Sequence, residues 1–327
     1  MRTDEVVFVE AAARLHFGVL DLRGSLGRWF GGIGAAAPAP TLVISAHAAD
    51  NVRATGPDGE RAAAYAARCV AHFGLRHGVH VEVHRALPAH AGLGSGTQLA
   101  LAVAKAIAEI YDIDADAPTL ARVVGRAQRS AIGTWTFAGG GLVVEGGRRH
   151  DRDDAGPLVA RVPFPPSWRC VVALPDAPAG ISGAREIEAF AELPAPPEDE
   201  AARVSHLALM ALLPSIAEDD IETFGAALSD IQEITGRWWA PVQGGTFTPG
   251  PTGALVRQMR EWGAFGVGQS SWGPTVYGVV GDADAALRLA GRVRDAIGKN
   301  GRVYEGPFRT TGARLWRSSS TAGQTGT

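Results

Sequence analysis

The chain is almost without lysine. Of its 31 basic residues only Lys105 and Lys299 are lysines, which leaves 29 arginines. That shortage excludes a P-loop, whose phosphate grip needs Gly-Lys followed by Ser or Thr. It also leaves two amines for a Schiff base, one inside a helical stretch and one near the C-terminus. Cysteine is as scarce. Cys69 and Cys170 make no CxxC pair, so neither a disulfide framework nor a cysteine metal site is available. Cys170, within Cys-Val-Val-Ala-Leu, reads as inert core. Long apolar runs are missing as well. The most apolar helical stretch, 99–110, carries Lys105 and Glu109 and is too short for a bilayer. The opening Met-Arg-Thr-Asp-Glu lacks the apolar run of a signal peptide. The net charge is −3, so there is no global basic footprint for nucleic acid. A cytoplasmic protein without membrane or nucleic-acid partners is expected. Serine hydrolysis has no Gly-x-Ser-x-Gly elbow, and His16, His47, His84 and His90 show no HExxH-like spacing.

What is present is ordinary globular material. Hydrophobic residues make 46% of 327 and charged residues 20%, enough for one large or two ordinary domains. Strands are expected at 6–9, 41–45, 80–84, 141–145, 168–174, 276–280 and 302–304. Helices are expected at 60–73, 98–111, 118–128, 198–213, 220–234, 253–262 and 282–297. Strict βαβα alternation is absent, which favours α+β layers over a doubly wound sheet. The chain turns charged and then proline-rich from 145 to 166. That divides it into 1–165 and 166–317, with 318–327 a polar tail expected to be disordered.

Four stretches carry chemistry. The first is Leu87-Pro88-Ala89-His90-Ala91-Gly92-Leu93-Gly94-Ser95-Gly96-Thr97, running straight into a helix. Glycines at a helix start let a phosphate approach free N–H groups and the positive end of the helix dipole. The plain alternative is a tight strand-to-helix turn with a hydroxyl cap. The second is Arg14-Leu15-His16-Phe17-Gly18, Asp21, then Gly27-Arg28 and Gly31-Gly32-x-Gly34. These glycine-dense pieces read as loops. Asp21 reads as a cation stabiliser or a base and Arg28 as a phosphate clamp, unless the two form an ion pair on a turn. The third is Arg126, Arg129, Ser130, Gly133 and Thr134, where the arginines share a helix face and either meet a ligand or cap the helix. The fourth is Gly266-Val-Gly268-Gln269-Ser270-Ser271-Trp272-Gly273-Pro274-Thr275, with Trp272 read first as core. Two such loops in two halves suggest one ligand held between them.

Pro88 to Thr97 resembles the phosphate loop of the GHMP superfamily, Pro-x-x-x-Gly-Leu-Gly-Ser-Ser-Ala, but ends in Ser95-Gly96-Thr97. The superfamily's later catalytic aspartate has no counterpart in 129–145. Together, Arg14-Leu-His16-Phe-Gly18, Gly-Leu-Gly-Ser-Gly-Thr97-Gln98, Arg129-Ser-Ala-Ile-Gly133-Thr and Gly268-Gln-Ser-Ser-Trp-Gly-Pro274-Thr are similar to the β-ribofuranosylaminobenzene 5′-phosphate synthases, in order from Ala13 to Thr275. The resemblance implies an N-terminal domain like domain 2 of ribosomal protein S5 and a ferredoxin-like C-terminal domain. It implies phosphoribosyl pyrophosphate and 4-aminobenzoate or 4-hydroxybenzoate as substrates, Mg2+ without ATP or pyridoxal phosphate, and a homodimer, in the biosynthesis of methanopterin. The donor would lie on Gly92, Gly94, Ser95, Gly96, Thr97 and Gln98. Arg14, Arg126, Arg129, Ser130, Thr134, Gln269, Ser270, Ser271 and Trp272 would contact substrate, and Asp21, Arg28 and His16 would carry catalysis. The metal ligands are not assigned. The competing readings are an ATP-dependent kinase of a small alcohol and a non-catalytic phosphometabolite-binding protein of the same fold.

Overall fold

The structure, a computed structural model, describes residues 5–152, 154–181 and 183–319. Alternation starts the chain. In β1 (Glu5–Asp21) the side chains of Val7, Val9, Ala11, Ala13, Leu15 and Phe17 are buried on one face, and Phe8, Glu10, Ala12, Arg14 and His16 take the other. β2 (Arg28–Ala49) returns antiparallel to it, Arg14 opposite Ala36 and Asp21 opposite Phe30. Next come β3 (Arg53–Thr55), α1 (Gly59–His72), β4 (Gly78–Arg85), α2 (Ser95–Ile110), α3 (Ala117–Val123) and α4 (Ile132–Gly139). β5 (Leu142–Glu145), β6 (Arg148–Arg149) and β7 (Leu158–Val162) close the first half. The second half holds β8 (Arg169–Leu174), α5 (Ala184–Glu192), α6 (Glu198–Leu207), a π-helical turn at Ala208–Leu212, α7 (Leu213–Ala217) and α8 (Ile221–Gln243). After these come α9 (Pro251–Glu261), β9 (Gly266–Gln269), β10 (Val276–Val280), α10 (Ala283–Ile297), β11 (Arg302–Pro307) and β12 (Arg314–Ser319).

The first sheet runs β12-β1-β2-β4-β3, with β5 and β6 on β2 and β7 on β5. The second runs β11-β8-β10-β9, antiparallel throughout, with helices between β8 and β9 and between β10 and β11. That order is the ferredoxin-like one the resemblance implies. α2 is buried nearly all round, from Gln98 to Ala104 and from Ala106 to Ala108. An all-round apolar helix belongs in the core, and its alanines let β1 and β2 pack close. Among the described residues no helix is long and apolar enough to cross a membrane.

Several expectations change. The stretches at 14–21 and 28–34 are strand, not loop. Their glycines serve close packing. A Cβ on Gly34 would lie 2.6 Å from Ile132 Cγ2 and 2.4 Å from the Leu15 carbonyl, so only glycine lets α4 and β1 approach β2 there. Residues 266–269 are strand for a similar reason: a Cβ on Gly268 would meet Gln232 Oε1 at 2.3 Å and the Tyr277 hydroxyl at 2.4 Å. Residues 132–139 form a helix. Finally, 314–319 return to the first sheet as β12, against β1. The first sheet is therefore not confined to 1–165, and the expected tail is strand at Ser318 and Ser319. Residues 320–327 lie outside the described residues.

Candidate active site

Asp116, Asp220 and Asp282 cap α3, α8 and α10 by accepting a backbone N–H at the third helical position. α2 starts differently. Its first turn begins at Gly94, at φ 72°, with no side-chain cap. The loop before it is held from behind, through its carbonyls. Arg14 N donates to Leu93 O at 3.0 Å and Arg14 Nη1 to Gly92 O at 2.5 Å. Ser270 Oγ also donates to Gly92 O, at 2.6 Å, and Thr275 Oγ1 donates to Ala91 O. Gly180 N donates to His90 O at 2.9 Å. With the carbonyls engaged from behind, the open end of α2 presents amides, the arrangement that binds anions.

The loop forms one wall of a cleft of about 340 Å³. Arg14, Arg61, Arg126 and Arg129 line it, with, among the described residues, a single carboxylate, Glu186. Arg126 donates to the Tyr65 hydroxyl and lies 5.2 Å from the centre of that ring. Arg129 Nη2 donates to Glu186 Oε2 at 2.6 Å. Burial pushes the Arg14 guanidinium down to about 10, partly opposed by Glu186, so it stays charged at neutral pH. Four positive charges against one negative suit a polyanionic ligand. Trp272 also lines the cleft, stacked on Trp239 with centroids 4.5 Å apart and edge-on to Phe190 at 5.5 Å. Neither indole N–H has a partner among the described residues.

The expected site residues divide. Gly92, Gly94, Ser95, Gly96, Thr97, Arg14, Arg126, Arg129, Ser271 and Trp272 line the cleft. Gln98 and Thr134 are fully buried behind it, Gln98 Nε2 donating to Gly133 O at 2.9 Å to tie α2 to α4. Ser130 Oγ accepts from Ile132 N at 3.3 Å and does not line the cleft. Ser270 is part of the seam, since its hydroxyl also accepts from His16 N at 2.9 Å. Gln269 accepts from Thr248 N at 2.7 Å and lines a small neighbouring cavity with His16 and Trp239. His16 is sealed there. Burial, helped by Arg14, pushes it down to about 3, so it is neutral at physiological pH and cannot act as an acid. Asp21 and Arg28 sit at the far end of the β1–β2 hairpin. Asp21 Oδ1 accepts from Arg23 N at 2.6 Å, and Arg28 Nη1 donates to Gly147 O at 3.1 Å. Neither lines the cleft. Sequence reasoning missed Arg61 and Glu186, which stand on ordinary amphipathic helices.

Burial also sets how acid affects stability. Glu145 is fully buried and accepts from Gly147 N at 2.8 Å and Ala131 N at 3.3 Å. Desolvation outweighs these bonds and pushes its carboxyl up to about 7 from an ordinary 4.5. The folded state thus holds this proton more tightly, and Glu145 makes stability fall as pH rises from 4.5 to 7. His16 acts the other way. Its folded value near 3, against 6.5, makes stability rise with pH from 3 to 6.5. Between 4.5 and 6.5 the two oppose each other. Glu145→Gln should leave the His16 rise unopposed and remove up to about 3 kcal/mol of penalty above pH 7, less about 1 kcal/mol for one lost hydrogen bond. Urea unfolding at pH 5, 6, 7 and 8 checks this. Equal pH slopes in variant and wild type would clear Glu145 of the role.

The fold is that of the GHMP kinases. Residues 61–140 match the family described as GHMP kinases N terminal domain, and 212–299 match GHMP kinases C terminal. The crystal structure of homoserine kinase from Cytophaga hutchinsonii superposes with a TM-score of 0.72 at 18% identity, over 97% of this chain and 98% of that one. Within that class the sequence is closer to particular enzymes. It is 33% identical to the beta-ribofuranosylphenol 5′-phosphate synthase of Methanothermobacter thermautotrophicus, over 94% of this chain and 98% of that protein. It is 34% identical to the enzyme of the same name from Archaeoglobus fulgidus, over 92% and 95%. The chain belongs to this synthase family, and it is an enzyme.

Proposed function

We propose that the protein joins phosphoribosyl pyrophosphate to a 4-substituted benzoate, releasing CO2 and pyrophosphate to give a β-ribofuranosyl-arene 5′-phosphate. The observation that supports this best is the composition of one cleft. An uncapped helix start, four arginines and a tryptophan line it, and loops from both halves are hydrogen-bonded together beneath it. The phosphates of the donor suit the α2 amides with Arg61 and Arg126. The flat acceptor suits Trp272, with Arg14 or Arg129 for its carboxylate. The relatives' product name, a ribofuranosylphenol, favours 4-hydroxybenzoate over 4-aminobenzoate.

The chemistry asks for charge stabilisation. The C1′–O bond breaks and its electron pair leaves with pyrophosphate, which the arginines and amides neutralise. The ring carbon bearing the carboxylate, made nucleophilic by the para substituent, supplies the pair for the new C–C bond. The C–CO2 bond then breaks, and its pair restores the aromatic ring. No proton is gained or lost overall, so no lysine, pyridoxal phosphate or ATP is called for. Among the described residues no three His, Cys, Asp or Glu side chains gather to hold a metal. A Mg2+ ion brought by the donor would find its main ligands in the pyrophosphate itself.

The test uses carboxyl-labelled 4-hydroxybenzoate and, separately, 4-aminobenzoate, with donor and Mg2+. One CO2 per pyrophosphate is expected. Pyrophosphate without CO2 would mean donor hydrolysis or attack through the hydroxyl or amine. ATP-dependent phosphorylation with neither product would make the protein a kinase.

A further inference from the structure

Glu186 stands out because its sign is wrong for the cleft. It is the one carboxylate among the residues that line it, facing a wall built for anions. It occupies the first turn of α5, where the helix dipole favours negative charge. Its side chain keeps 22% of its surface exposed, so it reaches the open cleft rather than being sealed beneath it. The helix that carries it is anchored. Ala189 is buried, and Phe190 packs edge-on against Trp272, Trp239 and Phe30 at 5.5, 6.1 and 5.4 Å. The carboxylate is thereby held at the cleft, against Arg129.

A negative charge there opposes both substrates, since the donor brings phosphates and the acceptor a carboxylate. Arg129 offsets one charge and no more. The arrangement makes sense if something positive forms in the cleft. The reaction proposed above makes such a species. As the C1′–O bond breaks, positive charge develops on C1′ and the sugar-ring oxygen. When the C–C bond forms, that charge passes to the arene and its para oxygen or nitrogen. It disappears when the C–CO2 bond breaks and its pair re-enters the ring. We propose that Glu186 is the catalytic carboxylate that stabilises this transient cation, an assignment that rests on the synthase reading.

The experiment measures pyrophosphate and CO2 release by wild type, Glu186→Gln and Glu186→Asp at varied donor and Mg2+ concentrations, with Arg129→Ala alongside. Glutamine keeps the size of the side chain and an oxygen for Arg129. Glu186→Gln is expected to lower kcat by roughly 10²–10³-fold. Its donor KM should be unchanged or lower, because a charge that repels phosphate is gone. Glu186→Asp should recover part of kcat. A carboxylate that only positioned Arg129 would behave otherwise, with Glu186→Gln raising donor KM as Arg129→Ala does and leaving kcat alone; that result overturns the proposal. So does a loss that excess Mg2+ restores, which would make Glu186 a metal holder. A wild type that releases neither product removes the synthase reading and the assignment with it. An active wild type beside an equally fast Glu186→Gln removes the assignment alone.

Discussion

Gly92→Ala should abolish turnover and cost several kcal/mol of stability, whereas Gly96→Ala, four residues on, should leave the fold intact and weaken only the donor. The difference lies in what each new Cβ meets. Gly92 has φ +76°, where a side chain costs about 1–2 kcal/mol. Its Cβ would also lie 2.1 Å from the Ser270 carbonyl oxygen and 3.2 Å from that of Gly273. Those are backbone atoms and cannot swing aside. The loop would have to leave the second-half seam, breaking the Ser270 Oγ bond to Gly92 O. Gly96 lies in the first turn of α2, and its Cβ would meet Arg61 Nη2 at 2.8 Å and Arg126 Nη2 at 3.1 Å. Both are tips of flexible side chains and can move, but they move away from the donor site. A charge-assisted hydrogen bond is worth about 1.5–3 kcal/mol. Displacing these guanidiniums should therefore raise donor KM by roughly 10–100-fold, with a melting temperature close to that of the wild type. Thermal melts and donor titrations of the two variants decide it. A folded, fully active Gly92→Ala would remove the loop from the site.

The contrast shows what was readable in one dimension. Positive-φ glycines at a helix start leave a local signature, and so Gly92 to Thr97 reads from sequence alone as a candidate for anion binding. Glycines packed between layers leave the same letters with a different cause. Gly34 and Gly268 read as loop, yet they are strand positions where a neighbouring helix or side chain leaves no room for Cβ. Hydroxyls and amides near glycines read as ligand contacts. Gln98 and Ser270 instead knit α2, α4 and the seam, and Thr134 is simply buried behind the cleft. Arg61 and Glu186 were illegible because each sits on a helix as any surface residue would, Arg61 even pairing locally with Asp58 at 3.2 Å. Only the packing of α1 on α2, and of α5 on Trp272 and Trp239 through Phe190, brings them to one cleft. Asp21 and Arg28 failed in the opposite way. Their neighbours in sequence suggested a loop around a ligand, but a 17-residue strand carries Asp21 away from the phosphate loop that Arg14 touches.

Arg14→Met should separate function from stability. Arg14 stands on β1 beneath the phosphate loop, and its guanidinium is desolvated enough to fall to about 10. Arg14 Nη1 donates to a carbonyl, Gly92 O, and the carboxylate that acts on it, Glu186, is already paired with Arg129. A buried cation without its own counter-ion is a cost in the unliganded protein. Methionine matches the length of the aliphatic stem that packs against Gly94, and Gly92 O keeps its bond from Ser270 Oγ. No buried acceptor is orphaned, so the free variant should be as stable as wild type or up to about 1 kcal/mol more stable. The substrate anion that would have completed the charge then finds none. Loss of one charge-assisted contact in a desolvated cleft predicts donor or acceptor binding weaker by roughly 10–100-fold. Which substrate suffers identifies what Arg14 holds, since a raised KM for the benzoate alone would place its carboxylate on Arg14. Lysine should not rescue fully, because an ammonium lacks the fork that reaches the Gly92 carbonyl and an anion at once. A variant that melts ten degrees lower yet binds both substrates normally would show that Arg14 is there for the loop, not for the ligand.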